Sequence, residues 1–112
     1  MPHPTLLDNV GGTPLVELTR MSHVPGVRLF AKLEGNNPTG SVKDRVAAYM
    51  VRYAEEGGAL RPGQTIVEAS TGNTAIALAA VAKQRGYKAR AVVPEQIAPG
   101  VADLLTLFGV GI

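Results

Sequence analysis

Apolar residues change their spacing along this chain in a way that alternates strand with helix. From Val27 to Glu34 the residues alternate apolar and polar in part with a period of two, which predicts a strand. After Ser41 the period changes: Val42, Val46, Ala47, Met50, Val51 and Ala54 recur at helical spacing, with Asp44, Arg45, Arg52, Glu55 and Glu56 dispersed among them. Gly57-Gly58 supplies a left-handed cap that stops this helix, and Arg61-Pro62-Gly63 is a turn. Thr65–Ala69 is a short strand, Ser70–Thr74 a loop, and Thr74 to about Arg85 an alanine-rich helix, apolar nearly all round, that ends at Gly86. Such a helix has to be covered on most sides. Lys88–Val93 is the next strand, closed by Pro94. Pro99-Gly100 precedes a third helical stretch containing Val101, Leu104, Leu105 and Phe108, and Gly109–Ile112 opens as another strand. Before all of these, Thr5–Thr19 holds the turn Gly11-Gly12 and an extended piece, Pro14–Leu18, readable as strand or loop.

Strands alternating with helices over short connections imply right-handed βαβ units. The expected class is α/β, an open parallel sheet with helices on both faces. Composition agrees: 46% of the 112 residues are hydrophobic but 4% aromatic, with no tryptophan, so Ala, Val, Leu and Ile must build the core. A formal charge of +2 without a basic run gives no nucleic-acid stripe. The absence of cysteine excludes disulfides, thiolate metal sites and a cysteine nucleophile, and His3 and His23 are too scattered for a metal cluster. Met1–Pro4 lacks the features of a secretory signal, and the longest apolar run, Ala75–Ala82, is too short for a membrane span, so a soluble cytoplasmic protein is the expectation.

Candidate chemistry gathers in two loops. In Asn36–Arg45, Asn37-Pro38 and Thr39-Gly40 are turn formers, Ser41 reads as an N-cap, and Asp44 fits the reciprocal position of a capping box. Lys43 then sits in the first helical turn, where the macrodipole disfavours a cation. That field, with burial, favours the neutral amine that attacks a carbonyl carbon to form a Schiff base. A solvated lysine in a charged first turn is the ordinary alternative, and position alone favours it. The second loop offers hydroxyls at Ser70, Thr71 and Thr74, a carboxamide at Asn73 and amides around Gly72, all suited to an anion at a helix start. Capping alone accounts for part of that set. In an open α/β sheet both loops fall at the carboxyl ends of strands, where ligands collect. The dinucleotide motif G-x-G-x-x-G is absent from both.

Asn37-Pro38-Thr39-Gly40-Ser41-Val42-Lys43-Asp44-Arg45, followed by Glu68-Ala69-Ser70-Thr71-Gly72-Asn73-Thr74-Ala75, resembles the cysteine synthase (O-acetylserine sulfhydrylase) family of fold-type II pyridoxal phosphate enzymes. Gly12-Thr13-Pro14-Leu15 matches that family's N-terminal signature. The resemblance implies pyridoxal 5'-phosphate as cofactor and Lys43 as its Schiff-base lysine and later the general base at the substrate α-carbon. It further implies Asn73 as a partner of the cofactor's 3-hydroxyl, and Ser70, Thr71, Gly72, Asn73 and Thr74 as the holders of a small amino-acid substrate's carboxylate. The implied reaction is β-replacement, O-acetylserine plus sulfide giving cysteine plus acetate, by a homodimer when full length. Ser70-Thr71 stands where the family usually reads Thr-Ser, Ala75 where it often has glycine, and Ile97 and Ala98 where it has Met and Ser. Family members are much longer, so residues 1–112 are expected to be a single, incomplete α/β domain, the N-terminal portion of a longer enzyme and inactive alone. Alternatives are cystathionine β-synthase, a serine/threonine dehydratase, whose members tend to have Phe and His at the places of Val42 and Thr74, and a non-catalytic fragment or binding module.

Overall fold

The computed structural model describes residues 4–112. In chain order its elements are a 3-10 turn at Leu6–Asn9, β1 (Leu15–Glu17), β2 (Phe30–Lys32), a 3-10 turn at Glu34–Asn36, α1 (Lys43–Glu56), β3 (Thr65–Ala69), α2 (Asn73–Arg85), β4 (Lys88–Val92) and α3 (Pro99–Leu107). The strand expected over residues 27–34 is therefore narrower than its alternation suggests. Val24 and Val27 close a turn through their backbone (3.1 Å), so pairing begins only at Leu29. Pro14–Leu18 resolves as strand rather than loop. β1 and β2 pair antiparallel, Leu15 opposite Lys32 and Glu17 opposite Phe30, and the bonds Leu18 N–Leu29 O (2.8 Å) and Leu33 N–Pro14 O (2.9 Å) extend the ladder at both ends.

The expected parallel pairing is present at β3 and β4, which run in register from Thr65–Lys88 to Ala69–Val92 with α2 as the crossover. Gly109–Ile112 opens a third parallel strand as anticipated: the amide of Ala91 donates to Gly111 (2.9 Å) and that of Gly111 to Ala89 (3.2 Å). Helix α2 covers the face of this sheet that carries Ala89 and Ala91. The opposite face, with Val67 and Val92 each 60% exposed, carries no helix among the described residues, so the second helical layer of the expected sheet is not supplied by this stretch.

Every residue of α2 from Ala75 to Ala82 is buried, as an alanine-rich helix without a polar face must be. Ala75, Ile76 and Ala79 meet Ala91, Leu105 and Val110 on one side, while Ala77, Leu78 and Val81 meet Ala47 and Val51 of α1 on the other. At the far end Glu55 of α1 takes Tyr87 Oη (2.9 Å) and Arg85 (3.3 Å), and at the near end Pro38, Thr39 and Asp44 line a small cavity with Ala77, Ala80 and Val81. These contacts make α1 and α2 parallel. Their N-termini lie at the edge where β3 and β4 end.

Helix ends follow the sequence. Gly86 takes the left-handed conformation that terminates α2 (φ 79°), and of the pair after α1 it is Gly58 that does so (φ 73°), while Gly57 stays right-handed and donates to Tyr53 O (3.0 Å). Two predictions follow from this packing. Leu105→Ala, at a fully buried position, should lower unfolding stability by about 2–5 kcal/mol. Ala77→Leu should cost about 1–3 kcal/mol by forcing α1 off α2. Urea unfolding followed by far-UV circular dichroism measures both, and an unchanged midpoint in Ala77→Leu would contradict the close helix contact.

Candidate cofactor and substrate site

Lys43 is the first residue of α1, as the loop chemistry predicts, but the cap differs from the expected one. Val42 occupies the N-cap position in a right-handed conformation, and Ser41 stands one residue before it, its hydroxyl accepting the Lys43 amide (3.2 Å). Asp44 does not reach back to Ser41. Its carboxylate, 2% exposed, accepts instead the Thr39 amide (2.6 Å) and the Thr39 hydroxyl. The turn that presents Thr39, closed by Gly40 N to Asn37 O (2.9 Å) with Gly40 at φ 93°, places two donors nearer than the Ser41 backbone. The half-buried Lys43 side chain has no hydrogen-bond or ion-pair partner among the described residues.

Across the edge, Ser70 organises the second loop. Its amide donates to Val92 O (3.1 Å), joining the loop to the end of β4, and its hydroxyl accepts the amides of Gly72 (3.2 Å) and Ala75 (3.3 Å). The Gly72 amide, expected to be available to a ligand, is thus spent inside the loop. Asn73 and Thr74 open α2, and among the described residues their amides take no protein acceptor, as befits first-turn groups. Ser70, Thr71 and Thr74 line an open cleft of about 540 Å³ together with Glu68, Ala69, Val92, Val93 and Pro94. That volume lies in the range of small-ligand sites. Asn73, Gly72 and Lys43 are outside its lining: Asn73 is exposed beside it, and Lys43 begins the neighbouring helix, whose first turn lies against Ala77, Ala80 and Val81 of α2.

Sequence reasoning missed a second polar cluster behind Lys43. Glu34 takes the Arg45 guanidinium through two bonds (2.7 and 3.1 Å), the Thr13 hydroxyl (2.5 Å) and the Asn37 amide group (2.9 Å). Asn37 in turn accepts the Gly11 amide (2.9 Å), and Thr13 accepts a further Arg45 N–H (3.1 Å). Gly11 takes φ 84°, a conformation that favours glycine, and a Cβ there would stand 2.9 Å from the Arg45 guanidinium and displace it. Turn and strand grammar describe each of these residues locally; no signal in the sequence joins positions so far apart.

The architecture is that of an α/β protein whose parallel strand ends lead to a helix start rich in hydroxyl and amide donors, next to a parallel helix that opens on a lysine without a partner among the described residues. The profile of the pyridoxal-phosphate dependent enzyme family matches residues 6–112, and the chain belongs to that family. It is 48% identical over 104 residues to cysteine synthase 1 of Emericella nidulans, covering 93% of this chain and 28% of that protein. It is 47% identical over 105 residues to cysteine synthase B of Escherichia coli, covering 94% and 35%. The crystal structure of cysteine synthase from Entamoeba histolytica superposes with a TM-score of 0.91 at 36% identity, over 99% of this chain and 34% of that one. The chain thus spans about a third of the length of these relatives. Its own donor set suits the family's cofactor chemically: a primary amine free to condense with an aldehyde, and amides and hydroxyls at a helix start for an anionic group.

Glu34 has a measurable signature. Hydrogen bonds from Arg45 foremost, then from Thr13, hold its carboxyl well below the ordinary 4.5, at about 2. A carboxylate lowered on folding contributes stability that is complete above its unfolded pKa and is lost as pH falls through the folded one. Urea midpoints should therefore drop more steeply in the parent than in Glu34→Gln between pH 4.5 and about 2. Asp8 and Glu17, also lowered, are common to both proteins and cancel in the comparison.

Proposed function

We propose that this chain carries the reactive lysine and substrate loop of a β-replacement enzyme of the cysteine synthase kind, converting O-acetylserine and sulfide into cysteine and acetate. The supporting observation is the parallel packing of α1 on α2, which puts Lys43 and the loop Ser70–Thr74 at one edge of the β3–β4 sheet. Relatives named cysteine synthase, at 47–48% identity, support the same substrate class.

In this reading Lys43 is the residue to which pyridoxal 5'-phosphate attaches, and the group when bound supplies an electron sink for the substrate's α-carbon. The Lys43 amine then takes and returns the proton at that carbon. Thr71, Asn73 and Thr74 orient the amino-acid carboxylate with side-chain donors and the two unfilled amides of the first turn of α2. Ser70 and Gly72 contribute differently: Ser70 Oγ, accepting two amides, holds the loop in shape, and Gly72 gives one of those amides. Asn73 would also hold the cofactor's 3-hydroxyl. The complete enzyme works as a homodimer.

Borohydride reduction of the complete protein with pyridoxal phosphate, followed by peptide mapping, should place the pyridoxyl label on Lys43. Label on another lysine, with Lys43 unmodified, would sink the assignment. Asn73→Ala and Thr74→Ala should weaken amino-acid binding more than cofactor retention. The loss of one charge-assisted hydrogen bond corresponds to roughly 1.5–3 kcal/mol, or about tenfold to a hundredfold in affinity. Equilibrium titration of each variant with O-acetylserine, and dialysis against buffer, separate the two effects; earlier loss of cofactor than of substrate affinity would contradict the carboxylate role.

A further inference from the structure

The two residues that follow Lys43 are each tied down, and in different directions. Asp44, 2% exposed, holds Thr39 through both its oxygens, so the loop before the helix is fastened to the first turn. Arg45 forks onto Glu34 and reaches Thr13, so the same turn is fastened to two further segments. Asn37, 3% exposed, closes the set by linking Glu34 to Gly11, and the Lys32 ammonium bonds the Thr13 carbonyl.

The cluster contributes to stability, as the lowered carboxyl of Glu34 shows, but stability alone does not account for its make-up: polar groups withdrawn from water, such as Thr13 at 6% exposure and Asn37, bear a desolvation cost that apolar side chains avoid. What a fully satisfied network does supply is a single geometry, because each bond fails if a partner moves. Here that geometry is the axial and rotational placement of the first turn of α1. We propose that Glu34 and Arg45, with Thr13 and Asn37 completing their bonds, are positioning residues that fix the first turn of α1 and thereby set where the Lys43 amine is presented. The inference rests on the reading of Lys43 as the reactive lysine.

The test uses the complete protein in cofactor-free form and has two readouts. Trace acetylation with acetic anhydride over a pH series, with peptide mapping, gives the reactivity of each lysine. The rate at which a pyridoxyl label becomes fixed on Lys43, once pyridoxal phosphate is added to the cofactor-free protein and the imine is reduced with borohydride, gives its productive placement. Glu34→Gln, and Arg45→Lys, which keeps the charge and loses the fork, should move the Lys43 acetylation profile and slow the pyridoxyl label about tenfold, the scale of a sub-ångström to ångström misplacement. Lys83 and Lys88, at the opposite end of the sheet, should react as in the parent. Val51→Ala, a core truncation on the same helix outside the network, controls for lost stability and should leave both readouts unchanged. Lys43 profiles and rates in Glu34→Gln and Arg45→Lys within about twofold of the parent, or an equal effect of Val51→Ala, would overturn the proposal. Should Glu34→Gln fail to accumulate, Arg45→Lys decides alone. A pyridoxyl label falling elsewhere in the parent overturns the reading of Lys43 itself, while the acetylation profiles still decide whether the cluster positions its amine.

Discussion

Eight consecutive buried side chains in α2, Ala75 to Ala82, dictate the arrangement of everything around them. A helix with no solvent face must be enclosed, and alanine's single methyl lets its neighbours come close from several sides at once. The sheet and α3 take one side and α1 another, each contributing small or branched apolar residues. Because α1 lies parallel to α2, the same packing that satisfies the hydrophobic effect brings two helix N-termini to the strand ends. The chemical edge is in that sense a by-product of how a helix without a polar face through its middle turns gets covered.

The elements carrying strong periodicity or sharp punctuation were legible in the sequence. Thr65–Ala69 and Lys88–Val92 fall on their predicted strands, α2 ends at Gly86, and Lys43 is in a first turn. What escaped were features decided by partners distant in the chain. Pro25-Gly26 marks the turn that precedes β2, but nothing in the alternation tells β2 that its antiparallel mate is β1. Asp44 looked like half of a capping box because that motif is defined locally, yet Thr39 offers it both a backbone and a side-chain donor. The loop residues were identified but not their division of labour: the hydroxyl of Ser70 is already committed to two amides.

The family assignment and the geometry bear on different questions. Similarity over residues 6–112 fixes the fold and the cofactor class of the family, while hydrogen bonds separate residues that shape a loop from residues left with donors to offer. Glu34 is instructive here, since neither its position at the end of an alternating stretch nor its charge suggests that it gathers three other side chains.

Lys43 has a fastened root and an unfastened tip. Its backbone belongs to a turn held by Asp44 and Arg45, while its amine has no partner among the described residues. The entropy of ordering that main chain, about 1–2 kcal/mol for each residue fixed, is thus met during folding and not again at each encounter with a ligand. Whatever engages the amine has only the lysine's own torsions to quieten, at most about 2 kcal/mol. A group arranged in this way can swing between neighbouring reaction partners without any part of the main chain having to follow.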